Sequence, residues 1–154
     1  MEFEQCRDIL LKESELVRRI ARLQEHIRDA VINRNWTDFE GHFADLGLMR
    51  EEFSALENER ERLFSGVQDS FYAFASRFPA AQRGELSEIY RGLKLEVLNT
   101  QVAGEVLMAY IAGARATMAG FFEIAFPDRG GKMYTPYGIP VSHDMRSMVL
   151  NRCF

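Results

Sequence analysis

FEQCRDILLKESELVRRIARLQEHIRDAVIN, residues 3–33, is the stretch that decides the fold class. Its apolar residues fall at Cys6, Ile9, Leu10, Leu16, Val17, Ile20, Leu23, Ile27, Ala30 and Val31. Steps of three and four recur over several turns, which places these side chains on one face of an α-helix. A half-buried strand would alternate every second residue instead. The opposite face carries Arg7, Lys12, Glu15, Arg18, Arg22, Glu25 and Asp29. The stretch therefore reads as one long amphipathic helix.

Working outward, Asn33-Arg34-Asn35-Trp36 interrupts the pattern, and Thr37 with Glu40 has the form of a capping box that restarts it. A second stripe then runs through Phe39, Phe43, Leu46, Met49, Phe53, Leu56, Leu63, Val67, Phe71, Phe74 and Phe78. This predicts a helix over 38–77, with a kink or short break expected at Ser65-Gly66 and an end at Phe78-Pro79. Residues 80–84 read as a short loop. A third helix is expected over 83–125, on Leu86, Ile89, Tyr90, Leu93, Val97, Leu107, Ile111, Ala114, Met118, Phe121 and Phe122. Its middle is rich in small residues, among them Gly104, Ala109, Gly113, Ala116 and Gly120, which let another helix approach closely. Short connections favour antiparallel neighbours. The expected fold is all-α: an elongated antiparallel three-helix bundle or coiled coil over 1–126, followed by a tail of different character over 127–154. In that tail Pro127, Gly130, Gly131, Pro136, Gly138 and Pro140 deny a continuous helix, while Met145, Met148, Val149 and Leu150 give its end an apolar stripe.

The composition fits one globular core. The chain has 154 residues, of which 47% are hydrophobic and 27% charged. Net charge is −4, divided as −6 over the body and +2 over the tail. An acidic body argues against nucleic-acid binding. Cys6 and Cys153 stand at opposite ends and make no disulfide framework. The charged start does not read as a signal peptide. The most apolar stretch, 102–125, is interrupted by Glu105, Arg115 and Glu123, so no membrane insertion is expected. A reducing cytoplasm fits best.

The residues that carry chemistry are mostly missing from this pattern. His26, His42 and His143 do not form the Glu-x-x-His spacing of di-iron bundles, and no metal site is expected. Gly130-Gly131-Lys132 lacks the strand and helix that a phosphate loop needs. Glu57, Glu59, Arg60, Glu61 and Arg62 read as a solvated helix face. No nucleophile setting is present, so the chain reads as a non-enzyme without a cofactor. The 12 phenylalanines and seven methionines stand out instead. Most belong to the core, but a thin three-helix assembly leaves part of such surface open as an adaptable helix-binding face. The expected partner-binding positions are exposed apolar residues of the third helix, namely Leu107, Ile111, Met118 and Phe122. The pattern leaves self-association open, as it does a helical adaptor or structural coiled-coil role.

Several segments taken in order give a resemblance. Two long helices join through Val31-Ile32-Asn33-Arg34-Asn35-Trp36, and Leu56-Glu57-Asn58-Glu59-Arg60 follows on the second. Then come Leu98-Asn99-Thr100-Gln101-Val102-Ala103-Gly104, with Ala103 where a second asparagine would stand, and Tyr134-Thr135-Pro136-Tyr137-Gly138 with Val141-Ser142-His143 behind it. In this order they resemble the FlgN-type flagellar type III export chaperones. The resemblance implies a small cytoplasmic helical chaperone. Such a protein binds the C-terminal helical segments of the hook–filament junction proteins FlgK and FlgL and delivers them to the export gate protein FlhA. It further implies that Tyr134, or less favourably Tyr137, contacts that gate.

Overall fold

The computed structural model describes residues 1–64 and 71–125, and the side chains of all of these except Phe121, Phe122 and Ala125. Every regular element among the described residues is a helix: α1 (Glu2–Ile32), α2 (Trp36–Phe64), α3 (Phe71–Ala75) and α4 (Ala80–Ala125). The expected all-α class is what the chain adopts.

Cross-helix contacts fix the directions. Along α1 the partners on α2 run backwards, with Glu13 meeting Arg60, Arg19 meeting Glu52 and His26 meeting His42. Partners on α4 run forwards, with Arg7 meeting Glu85, Arg18 meeting Glu96 and Gln24 meeting Thr100. The three long helices therefore run up, down and up. α1 is the central one: α2 and α4 both lie along it and touch each other little.

The burial pattern follows from that arrangement. On α1, Phe3, Cys6, Leu10, Glu13, Val17, Ile20, Gln24, Ile27 and Val31 are all buried, in strict steps of three and four. Ile9, Leu16, Leu23 and Ala30, seven apart, widen this stripe. A helix covered from two sides needs the wide stripe. On α2 only Phe39, Leu46 and Phe53, again seven apart, are buried. A seven-residue repeat is the spacing of coiled-coil packing. At the lower end of the assembly an aromatic cluster closes the core. Phe71 stacks on Tyr90 with centroids 4.0 Å apart, Phe64 lies 5.0 Å from Phe74, and Phe3 meets Phe78 edge-on at 5.9 Å. Such pairs add about 0.5–1.5 kcal/mol each beyond their buried area.

Three boundaries differ from the sequence expectation. First, the restart of α2 is capped by Asn35 rather than by Thr37 and Glu40. Asn35 Oδ1 accepts the Asp38 N–H at 3.2 Å, and Asn35 Nδ2 donates to Asp38 Oδ2 at 2.6 Å. The preceding helix end brings Asn35 to that position. Arg34, at φ 54°, takes the left-handed conformation, the Asn35 N–H donates to the Ala30 carbonyl, and the Arg34 N–H donates to that of Val31. This is a Schellman end with an arginine where glycine is usual. Second, the helix expected over 38–77 is described as α2 and α3, with a turn at Ser76 and Arg77 after Ala75. The expected break at Ser65-Gly66 lies outside the described residues. Third, residues 80–84 are helical rather than a loop. The Arg83 N–H donates to the Pro79 carbonyl at 2.9 Å, so α4 starts directly behind the proline. A missing N–H is harmless at that point, and Ala80, Ala81 and Gln82 favour helix. The tail over 127–154, and with it the expected division at 126, lies outside the described residues.

Candidate helix-docking face

The 46 residues of α4 carry two apolar stripes. Leu86, Tyr90, Leu93, Val97, Thr100, Gly104, Leu107 and Ile111 recur in strict steps of four and three, and all are buried or half-buried against the rest of the fold. At about 100° per residue, Leu95, Leu98, Val102 and Val106 fall on the opposite side. These four are between 52% and 65% exposed. Tyr110 extends their line, as do the small residues Ala109, Gly113, Ala116 and Gly120. A Cβ built on Gly113 or Gly120 meets nothing within 4 Å. In a helix that packs only through its inner stripe, these outer positions would ordinarily be polar.

Along its length this outer face changes from bulky to small residues, with Tyr110 between the two parts and Ile124 exposed at the far end. Gln24 donates to the Thr100 carbonyl at 3.3 Å, so the end of α1 at Ile32 stands level with about Met108. Beyond that level α4 continues to Ala125, roughly 25 Å further at about 1.5 Å per residue. The bulky part of the face lies alongside α1, and the glycine-containing part lies on the extension.

The structure places the sequence-predicted partner residues elsewhere. Leu107 and Ile111 are 8% and 4% exposed, so the expectation that they are open surface is corrected: they belong to the core. The reason is phase. Both fall on the inner stripe that meets α1, one and two turns beyond Gly104. Met118 is half-buried. The side chain of Phe122, and all of Tyr134 and Tyr137, lie outside the described residues. The outer stripe could have been found in the sequence, since Leu95, Leu98, Val102 and Val106 follow helical spacing among exposed Lys94, Asn99 and Glu105.

A second departure lies between α1 and α2. Arg60, expected on a solvated face, is only 14% exposed and donates to Glu13 at 3.0 Å, while Glu13 itself is fully buried. Burial pushes the Glu13 carboxyl up to about 7, against the opposing pull of the Arg60 charge. Arg60 also lies 3.6 Å from Glu57 and stands over the Tyr90 ring. Burial likewise pushes the nearby Cys6 thiol up to about 11, where it is neither a nucleophile nor a ready metal ligand. The pair ties α1 to α2 from within the core. His26 and His42 face each other with ring centroids 5.5 Å apart. Among the described residues no group of three or more His, Cys, Asp or Glu is arranged to hold a metal ion. No described helix is long and apolar enough to cross a membrane.

Comparison with known proteins adds extent rather than activity. No family model and no solved structure matches the chain. A protein of Treponema pallidum (strain Nichols), described as uncharacterized, is 23% identical over 157 residues. The similarity covers 96% of this chain and 92% of that protein.

Proposed function

We propose that this chain is a helix-binding chaperone whose α4 offers its outer stripe to an amphipathic helix of a client protein. The observation that carries the reading is the exposure of Leu95, Leu98, Val102 and Val106 on the side of α4 turned away from α1. A docked helix would cover these four side chains. At about 1.5–3 kcal/mol for fully burying each one, and with roughly half of each still open, this supplies several kcal/mol without nucleotide, metal or catalytic group. The glycines beyond them let a client backbone come close.

The resemblance to FlgN-type proteins makes the proposal specific. The clients are the C-terminal helical segments of the junction proteins FlgK and FlgL, held unassembled in the cytoplasm. The delivery partner is FlhA, contacted through Tyr134 or Tyr137. The client face moves from Leu107 and Ile111 to the outer stripe. A second reading, favoured by the same stripe, is a helical adaptor with no export role.

The test is fluorescence anisotropy with labelled peptides from the C-terminal segments of FlgK and FlgL, and in parallel with the cytoplasmic domain of FlhA. Val106→Glu should abolish peptide binding with unchanged helical circular dichroism. Truncation after Phe126 should remove FlhA binding and keep peptide binding. If unrelated amphipathic helices bind and the junction-protein peptides do not, the adaptor reading replaces the export one.

A further inference from the structure

The outer face of α4 carries Leu95, Leu98, Val102 and Val106 at one end and Ala109, Gly113, Ala116 and Gly120 toward the other, with Ile124 exposed beyond them, and the two sets complement each other when one copy is turned end for end. We infer that two copies of this chain pair through α4 as an antiparallel two-fold dimer centred between Leu107 and Met108, which covers the proposed client face when no client is bound. The inference rests on the client-docking reading only for that last consequence; the pairing itself stands on the face's own chemistry.

The register follows from size. Centred there, Leu95 of one copy meets Gly120 of the other, Val102 meets Gly113, and Val106 meets Ala109. Each contact repeats by symmetry. Leu95, Val102 and Val106 then each face a residue with little or no side chain, and at Gly113 and Gly120 the space above the backbone is open; Leu98 stands level with Thr117 and Tyr110 with Glu105. Small positions facing large ones are what brings two helices to short separation. Shifting the register by one heptad would set Leu95 against Gly113, leaving Gly120 unfilled and bringing the bulky residues toward one another.

Charge supports the same register. Arg91 and Glu123 are both exposed and flank the face on the same edge. In the antiparallel pair, Arg91 of each copy stands within one residue of the level of Glu123 of the other, giving two opposite-charge pairs at the ends. Among the described residues, α1 packs on the opposite side of α4 and leaves the approach open. The contact is isologous, so it closes at two copies.

The test measures mass by analytical ultracentrifugation of the full chain over roughly 1–100 µM, which reads dissociation constants in the micromolar range. The expected species is twice the 17.8 kDa of one chain. Gly113→Leu should weaken the dimer roughly tenfold or more with helical circular dichroism unchanged or higher. The new side chain enters open space in the single chain, and leucine favours helix more than glycine does. Arg91→Glu should weaken the dimer, and Arg91→Glu with Glu123→Arg should restore it. A wild-type chain that stays monomeric throughout overturns the inference, as does a dimer untouched by Gly113→Leu or not restored by the double reversal. A monomer that still binds client peptide leaves the docking reading standing without the dimer. A dimer with no client peptide bound does the reverse.

Discussion

Arg60 on α2 donates to Glu13 Oε2 at 3.0 Å, while Glu13 Oε1, also buried, receives no hydrogen bond from the described residues. The pair is thus half-satisfied, and the carboxyl is pushed up from the usual 4.5 to about 7. A group raised in the folded state stabilises the fold fully below its unfolded value, and that contribution is lost as pH rises through the folded one. Stability should therefore fall between about pH 4.5 and pH 7.5, with this group contributing on the order of 3 kcal/mol. Urea unfolding of wild type and Glu13→Gln across that window isolates it. The difference between the two should shrink or reverse with rising pH, and a wild-type advantage that grows with pH would contradict the assignment.

Cys6 should be silent to alkylating reagents at pH 8. Its thiol is fully buried and pushed up to about 11, so very little thiolate exists and none of it is reachable. In a Cys153→Ser background the labelling rate should follow opening of the core, and should rise by orders of magnitude in denaturing urea. Fast labelling of the native chain would mean that the N-terminal turns of α1 are not packed as described.

Arg34 occupies a left-handed position that glycine takes without steric penalty. The left-handed conformation costs a non-glycine residue about 1–2 kcal/mol. Glycine's extra freedom in the unfolded chain offsets part of that gain. Arg34→Gly should raise stability by about 0.5–1 kcal/mol, read as a higher urea midpoint with unchanged slope. A loss of stability would show that the arginine side chain holds the turn.

The two faces of α4 should respond in opposite ways. Ile111→Ala removes a core side chain and should destabilise by about 2–4 kcal/mol. Val106→Ser changes an exposed one and should stay within about 0.5 kcal/mol of wild type. Peptide binding should be lost with the second and retained, in the folded fraction, with the first.

These contrasts also show how far the sequence could be read. The helix content and the α1 stripe were legible because α1 is covered from two sides, so its apolar residues are many and the period is clean. α4 was harder. It carries two stripes about half a turn apart, and periodicity reports that a face is apolar without saying which neighbour covers it. Spacing alone therefore does not separate Leu107 and Ile111, on the covered stripe, from Leu95, Leu98, Val102 and Val106, on the open one. Arg60 was hidden differently, since a charged residue in a run of charges looks solvated. Its place in the series Phe39, Leu46, Phe53, Arg60, each seven apart, together with Glu13 in the α1 stripe, was the available signal. Thr37 and Glu40 had the right letters for a cap, but the Schellman end at Arg34 sets the start of α2 two residues earlier.

The parallel pairing of α1 with α4 has a consequence for how the nascent chain emerges. α1 meets α2 across a three-residue connection, so that hairpin closes locally and early. Its contacts with α4 join residues 76 to 78 positions apart. At roughly 5–20 residues per second of synthesis, the α4-facing side of α1 waits about 4–16 s on the ribosome before its cover is made. During that interval the apolar surface beside Arg7, Arg18 and Gln24 is open to holdase chaperones or to another nascent hairpin. The yield of folded chain should therefore depend on translation speed through the codons of α4 more than on those of α2.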